Sequence, residues 1–235
     1  MIPQNTATEI IANRRFTMIA AFIQAAKFLL VPILKNIDGF GPLETEPTGE
    51  PKPPKRQEKI FINMHELDRA RVMGSSCVAS SNLGYALEQT FKLMKYCETG
   101  LQKSWSGQSG HSLPLLFKAL ESETQKLLSD IYRNVKFHDF QFEEAINTKF
   151  PKEKVSMRDT GDLFSQLQYW QQKKLLQGSR YKYIDATPTG SIVQVLIPYR
   201  TVRFLDEVLT EVLAPKLKFG ERVLDYSVSP FQLED

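Results

Sequence analysis

The sequence predicts a mainly α protein: a helical N-terminal region, then a helical C-terminal region that carries one small β-hairpin. Three observations lead there. Apolar residues recur at helical spacing in several segments, as in Leu83, Leu87, Phe91 and Met94 or in Leu163, Leu167 and Trp170. Proline and glycine fall between these segments rather than within them for most of the chain. Tyr181–Ile184 and Ile192–Ile197 are rich in β-branched and aromatic residues, and the DATPTGS between them supplies Pro188 and Gly190 as turn chemistry.

Residues 1–37 form the first segment. Ile10, Ile11, Phe16, Met18, Ile19, Phe22, Ile23, Phe28, Leu29, Leu30 and Val31 would cover almost every side of a helix, so it is expected to be a core or dimerisation helix. The nineteen residues from Phe16 to Leu34 approach the length of a membrane span, but Gln24 and Lys27 interrupt the run and Pro32 is expected to break it. Arg14 and Arg15 before an apolar stretch resemble a signal peptide, yet no small-residue cleavage site follows and Glu9 is out of place there.

Residues 38–59 change character. Pro42, Pro47, Pro51, Pro53 and Pro54, with Gly39, Gly41 and Gly49, leave no apolar period, which predicts a linker or loop whose PKPPK stretch suits polyproline II. A helical region is expected over 60–112. There KIFINM is a candidate strand, HELDRARVM a turn or two of helix, GSSC at Gly74–Cys77 a cap turn, and Ser81–Cys97 an amphipathic helix capped by Ser80 or Ser81. A Gly/Ser-rich loop then leads to Pro114, suited to the first turn of one helix carrying Leu116, Leu120, Leu127, Ile131 and Val135.

From Phe137 to Tyr199 the expected order is helix, turn, longer helix, hairpin. Asp139 is a candidate N-cap for a short helix with Phe140, Phe142, Ala145, Ile146 and Phe150, stopped by Pro151. KEKVS is read as the turn. In TGDLFSQLQYWQQKK, Leu163, Leu167 and Trp170 point inward while Ser165, Gln166, Gln168, Gln172 and Lys173 point away, and Gly161 would weaken the first turn by roughly 1 kcal/mol relative to alanine. Val202, Leu205, Val208, Leu209 and Val212 predict a last helix halted by Pro215, ahead of a tail over 215–235.

This segment resembles the winged helix-turn-helix superfamily, in which a helix ending in a leucine pair, here Leu175 and Leu176, is followed at once by a two-stranded wing. The resemblance implies a winged-helix domain with flanking helices over 113–214, a recognition helix at Asp159–Lys174 and a wing at Arg180–Ser191. It also implies a set of DNA-facing residues: Arg158, Ser165, Gln166, Tyr169 and Lys173 toward the groove, with Arg180 and Lys182 on phosphate. Lys174 stands where many members have glycine.

Charge fits such a role. Between Lys149 and Arg203 there are ten basic and four acidic residues, net +6, against +3 for the whole chain and so about −3 for the rest. That asymmetry suits phosphate binding with counterion release. Against it, Asp159 and Asp162 fall where the helix would enter a groove.

Nothing in the sequence points to catalysis. His65, His111 and His138 are scattered, and Cys77 and Cys97 lie twenty apart without metal-ligand spacing. Gly107, Ser109 and His111 lack the second glycine of a nucleophile elbow, and GSSC lacks the Gly-Lys-Ser/Thr ending of a P-loop. The expectation is a non-enzymatic protein without cofactor or metal. It would bind double-stranded DNA in transcription control or in plasmid, phage or chromosome replication, and reside in the cytoplasm at the nucleoid or in a nucleus. The alternative is a docking winged-helix subunit of a larger assembly, such as a chromosome-organising complex. Homodimers are expected through the N-terminal helix or through residues 200–214, and a membrane partner is not.

Overall fold

A computed structural model describes residues 6–34, 66–100, 110–135, 137–145, 153–157, 161–173 and 192–217. As predicted, these residues are mainly helical. In chain order the elements are α1 (Thr6–Leu34), α2 (Glu66–Thr99), α3 (Leu113–Lys118), α4 (Ser122–Asn134), β1 (Phe140–Ala145), β2 (Glu153–Met157), α5 (Leu163–Lys173), β3 (Ile192–Ile197) and α6 (Tyr199–Glu207). From α6 the chain runs on through a π-helical stretch (Val208–Leu213) into a last turn, α7 (Ala214–Leu217).

The two long helices pack on each other, and this pairing is the largest between the described elements. Phe16, Ile19, Ile23, Ala26 and Leu30 of α1 are buried, as are Leu83, Leu87, Phe91 and Met94 of α2. Phe22 stacks on Tyr85 at 5.7 Å between ring centroids. No helix among the described residues is long and apolar enough to cross a membrane. Buried residues from α1 to α7 join in one apolar cluster, with Tyr132, Trp170, Tyr199 and Phe204 as large inner members.

Helix α2 is one rod of 34 residues rather than a short turn followed by a capped helix. Gly74–Cys77 and Ser80, read as caps, are helix interior. Ser76, Ala79 and Ser80 are fully buried, and Ser80 Oγ donates to the Leu196 carbonyl of β3 at 2.9 Å. Small side chains let the helix approach the sheet edge closely, and that packing outweighs the modest helix cost of serine.

The helix expected from Pro114 to Val135 is two helices. Gln125 Nε2 donates to the Leu120 carbonyl at 2.7 Å and to the Lys118 carbonyl at 3.3 Å, taking up acceptors that the end of α3 leaves open. Glu98 at the end of α2 accepts from the Glu121 amide at 2.9 Å, which anchors the start of α4. Leu127, expected inside, is 42% exposed because the break rotates α4 about its axis.

The largest difference lies after Phe137. Phe140–Ala145, in the segment read as a short helix, form strand β1, and Glu153–Ser156 of the KEKVS read as a turn fall in β2. Both belong to one antiparallel sheet of order β2-β1-β3. Phe142 stands opposite Val155 on one side and Val195 on the other. Phe140, Phe142 and Glu144 alternate with period two, and long-range pairing on both edges of β1 selects that reading over the helical one. Strand β3 is where it was expected, but its expected hairpin partner Tyr181–Ile184 lies outside the described residues, as do KIFINM and the proline-rich 38–59. Two prolines also sit within helices instead of ending them. Pro32 lies in the last turn of α1, and Pro215 lies in α7, directly after the wider π turns.

Candidate nucleic-acid interface

Helix α5 is set by the two residues that precede it. Gly161 has a φ of +70°, a left-handed turn that residues with a Cβ rarely adopt, and so lies before the helix rather than in its first turn. Asp162 follows as the cap: its Oδ2 accepts from the Ser165 amide at 2.8 Å and its carbonyl from the Gln166 amide at 3.0 Å. A carboxylate here also complements the helix dipole.

Leu163, Leu167 and Trp170 are buried, as their spacing predicts. They seat α5 on α3 and α4. Phe164 stacks on Phe117 at 6.1 Å, and Lys118 Nζ lies 4.6 Å from the Phe164 ring centre. The outer side carries Ser165, Gln168, Gln171 and Gln172, all exposed.

The predicted contact residues are distributed unevenly over this geometry. Ser165 is exposed, whereas Tyr169 is half-buried and packs against the apolar cluster. Gln166 is a correction: it is fully buried, since α5 is covered over more than the leucine stripe alone and one polar position falls inside the seam. The backbone of Lys173 closes α5, while Arg158, Arg180 and Lys182 lie outside the described residues. The sequence reading left Gln168, Gln171 and Gln172 out of the contact set, although positions 165, 168 and 172 share one helical face by spacing.

A buried polar latch joins the end of α4, the residue before β1 and the start of α6. Arg200 is 4% exposed; its Nε and Nη2 donate to the Tyr132 carbonyl at 3.1 and 2.7 Å, and Nη2 reaches the Arg133 carbonyl at 3.4 Å. The guanidinium therefore caps the C-terminus of α4, where open carbonyls and the helix dipole both favour a cation, and it lies 4.2 Å from the Tyr132 ring centre. Asp139 is fully buried and does the converse for α6: its carboxylate accepts from the Thr201 amide at 3.1 Å and from Thr201 Oγ1 at 2.8 Å. Pro198, at the N-cap position of α6, offers no side-chain bond. Asp139 is thus a cap, but of a helix about sixty residues downstream. Arg200, counted in the basic excess, is withdrawn from any phosphate, and Arg203 lies over the Phe137 ring at 5.1 Å.

Burial pushes the Asp139 carboxyl up to about 6 from the 3.8 of a free aspartate, with the Thr201 bonds and the Arg200 charge pulling the other way. The folded chain then holds a proton between about pH 4 and 6 that the unfolded chain has released, so stability falls as pH rises through that window. The loss expected from this group is roughly 3 kcal/mol at 1.36 kcal/mol per pH unit. Burial also raises Asp206, which pairs with Lys27, so only the difference between the wild type and Asp139→Asn isolates Asp139. Urea unfolding at pH 4 and pH 6.5 should show a flatter profile for the variant, and parallel profiles would refute the assignment.

Other polar groups serve packing. Glu88, nearly buried, accepts from Lys92 Nζ at 2.7 Å and lies 3.1 Å from His111 Nδ1, tying α2 to the start of α3. Cys77 and Cys97 form no disulfide, and burial pushes the Cys97 thiol up to about 11, with Lys216 opposing. Among the described residues no group of three or more His, Cys, Asp or Glu is placed to hold a metal ion.

Comparison of the chain with protein-family models, with curated proteins and with solved structures found no match.

Proposed function

We propose that the protein is a non-catalytic binder of duplex DNA that uses α5 as its reading helix. The supporting observation is the outer face of α5: it is rigidly seated, polar, uncharged at Ser165, Gln168, Gln171 and Gln172, and set in a segment whose sequence carries net +6. A reading helix needs a firm back and hydrogen-bonding groups in front, while phosphate contacts come from flanking cations. On this reading Arg158, Lys173, Arg180 and Lys182 supply those contacts, and the protein acts in transcription control or replication at the nucleoid or in a nucleus.

Fluorescence anisotropy with a random duplex across a salt series tests this. With the four phosphate contacts named, affinity should fall on the order of a hundredfold between 50 and 200 mM salt. The double variant Arg180→Glu/Lys182→Glu should lose binding. Absence of binding by the wild type at low salt would end the proposal.

One observation favours a second reading, docking within a larger assembly. Helix α1 exposes Ile10 (49%), Ile11, Met18 and Phe28 (77%), an unusual run of large apolar side chains toward water. The apolar residues of 200–214, by contrast, bury within their own chain: Val202, Leu205, Val208, Leu209 and Val212 all belong to the core, which leaves α1 as the surface for a partner or a second copy. Light scattering of the wild type and Phe28→Ser decides whether α1 associates.

A further inference from the structure

Ser165, Gln168 and Gln172 recur at i, i+3 and i+7 and share the exposed face of α5, with Gln171 beside them. What distinguishes this face is its donor and acceptor chemistry. Each glutamine offers a carbonyl acceptor and an amide donor side by side. Among the described side chains of α5, none on this face is a cation, and the carboxylate of Asp162 is turned onto the Ser165 amide. The opposite face is fixed in the core by Leu163, Gln166, Leu167 and Trp170, so the helix cannot roll to present another set.

In the major groove adenine presents N7 as acceptor and N6 as donor, the pattern that a glutamine amide matches with two hydrogen bonds. Guanine presents two acceptors, N7 and O6, which suit arginine or lysine. A serine hydroxyl serves either base. Charge complementarity with a duplex comes from the segment around α5, where ten basic residues stand against four acidic in the sequence, or nine against four once the buried Arg200 is set aside.

We infer that the outer face of α5 selects A·T-rich duplex, reading adenine through the side-chain amides of Gln168 and Gln172. The inference rests on the duplex-binding reading above and adds the class of sequence that it takes.

The test uses the full chain and three labelled duplexes of equal length: one of A·T pairs, one of G·C pairs, and the A·T duplex with 7-deazaadenine, which lacks the N7 acceptor. Anisotropy titrations at one low salt concentration should show the A·T duplex bound about tenfold or more tightly than the G·C duplex, the discrimination expected of a good bidentate contact. The 7-deazaadenine duplex should lose most of that preference. The double variant Gln168→Ala/Gln172→Ala should keep its melting curve, since both positions are exposed and alanine favours helix, and should bind all three duplexes within about threefold of one another. Equal affinity of the wild type for A·T and G·C duplexes, or an unchanged preference in the double variant, would overturn the inference while leaving duplex binding in place. Failure to bind any duplex would overturn both.

Discussion

Replacing Arg200 with alanine should lower the stability of the fold by about 3 to 5 kcal/mol, the range found when one partner of a buried charged network is removed. The guanidinium is the cap of α4 and the nearest cation to the buried Asp139 carboxylate. Its loss leaves the Tyr132 carbonyl without this donor and the buried Asp139 carboxylate with the Thr201 bonds but without the offsetting charge, and it empties the space over the Tyr132 ring. Arg200→Lys should recover only part of the loss, because an ammonium is a point charge and cannot present two N–H groups of one plane to a single carbonyl. Urea unfolding at pH 7 measures both, and a loss below about 1 kcal/mol in Arg200→Ala would show that the latch contributes no more than a surface pair.

Trp170→Ala should cost about 3 to 5 kcal/mol, because this side chain is 1% exposed and is among the largest fully buried groups. It is also a central part of the seat of α5. Trp170→Phe should cost far less, about 1 to 2 kcal/mol, since the indole N–H is buried without a hydrogen-bond partner among the described residues and phenylalanine removes that donor with only part of the volume. The pair of variants separates stability from reading. The alanine variant should lose duplex binding along with its cooperative melt, whereas the phenylalanine variant, with the outer face of α5 intact, should bind as the wild type does. A Trp170→Ala protein that melts normally would remove the buried seat from the description.

How far the sequence was legible differs from element to element. Leu163, Leu167 and Trp170 identified the inner side of α5 correctly, because a strong 3.6-residue period is a local signal that tertiary packing only confirms. Phe140, Phe142 and Ala145 misled, because a short apolar run fits both periods and nothing nearby says that two strands from downstream will pair with it. Ser80 was read as a cap because serine at the start of an apolar run usually is one. Its actual role, a hydrogen bond to Leu196, depends on a residue more than a hundred positions away. Gln166 failed for a related reason: whether a polar position on a helix meets water depends on how much of the circumference its neighbours cover.

By itself, the sequence determined the mainly helical class, the amphipathic sides of α2 and α5, the apolar character of α1, and the position of β3. These follow from spacing and propensity within a window of a few turns. Only the tertiary structure decided that α2 runs unbroken through its serines, that Phe140–Ala145 is the central strand of the described sheet, and that Asp139 and Arg200 cap helices far from them in the chain. Backbone donors and acceptors at helix ends and strand edges must be satisfied wherever the chain brings a partner, and which partner arrives is set by long-range packing rather than by adjacent residues.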